Sequence, residues 1–152
     1  MQQEQKMFEK LCHMLDAHNW KYKADAEELR ITTGARGEDL PMELAISIRP
    51  DMEIVQLISP VLLEVQEDKR LDMAIAICDC NYAMVQGCFD YSITEGRIFF
   101  RMSNSYADSE ISEDLLHEML MIACITIDEY NDRLLMLNKG IISIQQFLKK
   151  GE

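Results

Sequence analysis

The stretch Met42-Glu-Leu-Ala-Ile-Ser-Ile48-Arg-Pro50-Asp51-Met-Glu53-Ile-Val-Gln-Leu-Ile-Ser59 decides the fold. Met42, Leu44, Ile46 and Ile48 alternate with polar or small neighbours, the period of a strand with one buried face. Pro50-Asp51 makes a tight turn, since proline presets φ for a turn's second position. Glu53 to Ser59 reads as the next strand and stops at Pro60. Upstream, Leu29, Ile31 and Thr33 alternate in the same way, and Gly34-Ala-Arg-Gly37-Glu-Asp39 reads as the connection between them. Three successive strands with short connections and one polar face form an antiparallel meander.

Helical periodicity flanks the meander. From Glu4 to His18 the apolar residues Met7, Phe8, Leu11, Met14 and Leu15 recur at three and four, an amphipathic helix ended near Asn19. Glu67 and Asp68 open a second helix with the stripe Leu71, Ala74, Ile75, Cys78 and Tyr82. Val85 to Tyr91 and Arg97 to Ser103 read as a hairpin closed around Gly96. After a serine cap at 109 or 112, the longest helix carries Leu116, Leu120, Ala123, Ile127, Tyr130, Leu134 and Leu137 in four-three alternation. Leu115, Met119 and Ile122 add a second apolar flank to its first half, and Gly140 stops it. A short amphipathic helix at 141–150 closes the chain. The order α-β-β-β-α-β-β-α-α describes an α+β fold, with helices on one face of an antiparallel sheet. No repeat, low-complexity tract or linker divides residues 1–152, which are read as one domain.

Composition excludes several functions. Fifteen Lys and Arg stand against 27 Asp and Glu, a formal net charge of −12. A nucleic acid is therefore an unsuitable partner, and so is an anionic membrane. Residues 1–37 carry six bases and six acids, so the deficit lies beyond them, and no Lys or Arg occurs between Met102 and Asp132. Within that stretch Asp108, Glu110, Glu113, Asp114 and Glu118 suit the start of a helix, whereas Asp128, Glu129 and Asp132 read as a solvated face. The polar N-terminus lacks the apolar core of a secretory signal, and no apolar run reaches the roughly 20 residues of a membrane span. Five cysteines, an odd number without a framework spacing, suit reduced thiols, so a cytoplasmic location is expected.

No constellation reads as an active site, and no cofactor or metal is expected. Cys78 and Cys80 point to different sides of a helix, and Asp79 and Asp90 disfavour a thiolate at Cys78, Cys80 or Cys88. His13, His18 and His117 form no metal pattern. Ser112, Asp114 and His117 have triad residue types, yet they lie together at a helix start, where capping accounts for the serine and the acid. Five of the 11 methionines, Met7, Met14, Met42, Met73 and Met119, fall on or beside apolar stripes and read as core. Ile141, Ile142, Phe147 and Leu148 exceed what the core needs and are the candidate oligomer contact.

Several short motifs resemble the YbjN family. They are Asn81-Tyr82 at a helix end, Gly87-Cys-Phe89-Asp90-Tyr91, and Glu95-Gly96-Arg97-Ile98-Phe99-Phe100-Arg101, with Leu40-Pro41 and Asp128-Glu129-Tyr130 as further matching positions. The resemblance spans about residues 8–138. It implies the fold of class I type III secretion chaperones and a role in protein association, since YbjN-like proteins are described as regulators of sensory transduction and the chaperones are acidic homodimers that hold an extended segment of a partner. It implies no catalytic residues. In that mode the partner groove would be formed by Phe8, Leu11 and Leu15 with Leu29, Ile31, Leu44 and Ile46. The expectation is a non-enzymatic, homodimeric protein-binding module. The alternative is a regulator that holds a small molecule between helices and sheet.

Overall fold

A computed structural model describes residues 2–38 and 40–149. In chain order the elements are α1 (Gln3–Ala17), β1 (Tyr22–Asp25), β2 (Arg30–Arg36), β3 (Pro41–Arg49), β4 (Ile54–Pro60), α2 (Arg70–Ala83, entered through a 3-10 turn at Glu67–Lys69), β5 (Cys88–Ser92), β6 (Arg97–Ser105), α3 (Glu113–Asn138) and α4 (Ile144–Leu148). The six strands form one antiparallel sheet in the order β1-β2-β3-β4-β6-β5.

The meander is as expected, with Ile31 opposite Ile46 and Ile46 opposite Leu57. One strand is added to the expected order. β1, Tyr-Lys-Ala-Asp, has no apolar alternation because only Tyr22 is half-buried and the other three residues are exposed. Polar bonds hold it instead: Thr33 Oγ1 donates to the Lys21 carbonyl at 2.7 Å, and Tyr22 Oη donates to Asp16 Oδ1 at 2.9 Å. The last helix is shorter than 141–150, and Lys150 lies outside the described residues.

One face of the sheet carries the core. Ile31, Leu44, Ile46, Val55, Leu57, Ile98 and Phe100 are buried there, together with the α1 stripe Met7, Phe8, Leu11, Met14 and Leu15. From α3, Leu116, Leu120, Ala123, Ile127, Leu134 and Leu137 are buried in the expected alternation. Burial of each such side chain stabilises the fold by about 1.5–3 kcal/mol. Met7, Met14, Met42, Met73 and Met119 are all in this core.

Polar side chains lock the connections. Buried Asn138 accepts from the Gln66 N–H at 3.0 Å and donates to the Glu64 carbonyl at 2.9 Å, tying the loop before α2 to the end of α3. Asp128 is not merely solvated. Its Oδ1 accepts the Glu38 N–H at 2.7 Å, across 90 residues, and fixes the turn after β2.

Candidate protein-binding surface

The residues expected to line a partner groove are core residues. Phe8, Leu11, Leu15, Ile31, Leu44 and Ile46 are each at most 8% exposed, and Leu29 is half-buried. α1 packs over β3 and against α3, which is what buries these side chains in this structure. The expected oligomer contact is split. Ile141 and Leu148 are exposed and Ile142 is half-buried, but Phe147 is fully buried, with the Arg133 guanidinium 4.3 Å above its ring.

One apolar surface that stands open is the outer face of α2. Of the expected apolar stripe, Leu71 (74% exposed), Ile75, Cys78 and Tyr82 (93%) face out and Ala74 is half-buried, whereas Met73, Ala76, Ile77 and Cys80 are buried. At 100° per residue these two sets lie on opposite sides of the helix. Both are apolar, so periodicity alone does not choose between them. The choice is made by Asn81, which stands on the border between the faces and clamps β5, donating to the Phe89 carbonyl at 2.9 Å and accepting the Phe89 N–H at 2.7 Å. Tyr91 Oη adds a bond to the Arg70 carbonyl at 2.9 Å. Asn81→Ala removes both bonds and leaves the main-chain groups of Phe89 without this partner. An unfolding free energy lower by about 2–3 kcal/mol is expected in urea titration; an unchanged midpoint would show that the clamp does not set the helix rotation.

Beyond α2 the same apolar surface continues into Val85, 99% exposed. It meets a groove of about 500 Å³ between the end of β5, β6 and the first half of α3. Leu115 and Ile122, the second flank of α3, are half-buried because they line this groove. The layer between helices and sheet, where a small ligand would be enclosed, is filled by the core side chains.

Reactive groups are engaged or blunted. Ser112 Oγ accepts the Leu115 N–H at 3.1 Å as the α3 cap, and the His117 ring stacks on His18 at 3.7 Å, so the triad residue types do not assemble. His13 contacts Glu113. Among the described residues no group of His, Cys, Asp and Glu could hold a metal ion. Burial pushes the Cys124 thiol up to about 11, with Asp128 adding to the shift, and burial also raises Cys12. At pH 8 only about a thousandth of Cys124 is thiolate. Alkylation followed by mass spectrometry is therefore expected to label exposed Cys78 well before Cys124; equal rates would contradict this packing of α3.

An antiparallel sheet covered on one face by helices makes this an α+β protein, and its neighbours among solved structures give it the type III secretion chaperone-like fold. The YbjN family model, described as "Putative bacterial sensory transduction regulator", matches residues 8–136, and the chain belongs to that family. Among solved structures it is similar to E. coli YbjN, with a TM-score of 0.59 and 12% identity over 83% of this chain and 92% of that one. It is also similar to a chain of the ExsC-ExsE complex, with a TM-score of 0.57 and 11% identity over 88% of this chain and 97% of that one. A chain of the HopA1-SchA chaperone-effector complex gives 0.55 and 14% over 88% and 97%. No match was found among curated proteins. No helix among the described residues is long and apolar enough to cross a membrane.

Proposed function

We propose that this protein is a non-enzymatic, chaperone-like binding module that acts as a cytoplasmic homodimer and holds an extended segment of a protein partner. The observation that carries the reading is the uncovered face of α2, Leu71, Ile75, Cys78 and Tyr82, continued by Val85. Contiguous exposed apolar surface of this kind marks a protein contact. The face is about 16 Å long from Leu71 to Tyr82 at 1.5 Å per residue. A second copy suits it because an apolar stripe on a helix is self-complementary about a two-fold axis, with no charge within it that requires an opposite partner.

Two of the similar structures are titled as complexes, one of them a chaperone with an effector, and this supports a protein ligand. Five unbridged cysteines suit a reducing compartment. The engaged Ser112 and the raised Cys12 and Cys124 thiols speak against nucleophilic chemistry at those positions. The test is the solution mass of the intact chain by light scattering, repeated for a variant with charges on the α2 face.

A further inference from the structure

β6 outruns its neighbour. It spans Arg97–Ser105, but β5 pairs only as far as Cys88 opposite Arg101, while β4 stays paired to Ser105. Two bonds show which amides face the vacant side. The Val61 N–H donates to the Ile98 carbonyl and the Tyr106 N–H to the Glu53 carbonyl, both at 2.9 Å, so the even-numbered residues turn their main-chain groups toward β4. By the alternation of an antiparallel strand, the odd-numbered residues turn theirs the other way. The N–H and C=O of Ser103 therefore face the 500 Å³ groove, with no main-chain partner among the described residues.

At Gly87, φ +77, the chain leaves the strand line, and a notch opens beside β6 beyond Arg101. Its wall on the core side is Met102 with Leu115, Met119 and Ile122 of α3. Among the lining residues Glu118 is the one carboxylate, and the one base, Arg101, is already paired with Asp90 at 2.9 Å.

We propose that this notch receives an extended segment of a partner protein, apolar at alternate positions and carrying a lysine or arginine beside Glu118. The proposal rests on the protein-binding reading above and names where the segment sits. Main-chain pairing to Ser103 gives affinity, the side chains turned toward α3 cover Leu115, Met119 and Ile122, and the others face solvent. The free charge of the groove is negative, so a basic segment is preferred over an acidic one.

The probe is a fluorescein-labelled, end-blocked heptapeptide of alternating valine and lysine, titrated onto the full chain by anisotropy, with hydrogen exchange of the Ser103 amide read in parallel. Saturable binding and slowed Ser103 exchange are expected. Ser103→Pro removes an N–H that has no main-chain partner among the described residues, at a sheet edge where proline is tolerated. Binding weaker by about tenfold is expected, with an unchanged urea midpoint. Glu118→Lys is expected to reverse the preference toward a valine–glutamate heptapeptide. Absent binding, binding that leaves Ser103 exchange unaltered, or equal affinity for a folded Ser103→Pro variant would overturn the proposal. Should that variant not fold, Ser103 exchange in the wild type with peptide decides. Ser103 protection that grows with protein concentration and needs no peptide would assign the notch to a second copy and overturn the proposal equally. A dimer joined through α2 with no peptide effect at Ser103 would remove the notch and leave the broader reading in place.

Discussion

Gly87→Ala is expected to lower the free energy of unfolding by about 2–4 kcal/mol, a large share of what a domain of this size has. Gly87 sits at φ +77, a left-handed conformation that costs an alanine roughly 1–2 kcal/mol. Space adds to strain. A Cβ there would lie 2.5 Å from Cζ of Phe100 and 3.3 Å from the Arg101 carbonyl oxygen. Phe100 cannot move aside, because it is fully buried and packs edge-on against Phe89 at 5.6 Å, which in turn meets Tyr130 at 5.8 Å. The measurement is the urea midpoint at constant m. A drop of about 1–2 M is expected, taking m as about 2 kcal/mol/M. A wild-type midpoint would mean that the turn from α2 into β5 takes another path.

The second large effect is on association. The double variant Leu71→Asp, Tyr82→Asp is expected to convert a dimer to a monomer, with an unfolding midpoint that no longer rises with protein concentration and that matches wild type diluted to its own monomer. Both side chains are mostly exposed in the single chain, so the fold loses little. In a two-fold interface each is lost twice, and burial of such a side chain contributes about 1.5–3 kcal/mol. The dimer is therefore weakened by at least about a thousandfold. Because each chain carries a net charge of −12, self-association works against repulsion, and added salt is expected to tighten the wild-type dimer by screening it. This salt dependence has the opposite sign to that expected for a basic peptide binding beside Glu118.

The parts of the fold legible in the sequence were those whose burial is one-sided. β3 and β4 alternate because one face meets helices and the other does not, and α3 keeps a single seam over the sheet. β1 was illegible because Tyr22 to Asp25 are exposed apart from half-buried Tyr22 and are held by hydrogen bonds from Thr33 and Tyr22. Likewise the role of Asp128 depends on a turn 90 residues away, a contact that no local pattern encodes.

The candidate surface was less legible than the fold, for a related reason. Periodicity reports burial, so Phe8, Leu11, Ile31 and Leu44, the most regular positions, are those consumed by the core. On α2 the sequence is apolar on both faces, and the rotation depends on the side-chain clamp of Asn81 on Phe89, eight residues along, which periodicity does not encode. The apolar stripe Leu71, Ile75 and Tyr82 thus lies half a turn from the buried one. The useful signal was the surplus itself: a helix with apolar residues on two opposite faces has one face more than a single sheet can cover.

The most direct test of the central claim is the solution mass by multi-angle light scattering across micromolar concentrations, for the wild-type chain and the Leu71→Asp, Tyr82→Asp variant side by side. A wild-type mass twice the 17.6 kDa of one chain, and a variant at the single-chain mass, is the expected result. A monomeric wild type, or a folded variant that remains dimeric, would contradict a dimer built on the outer face of α2.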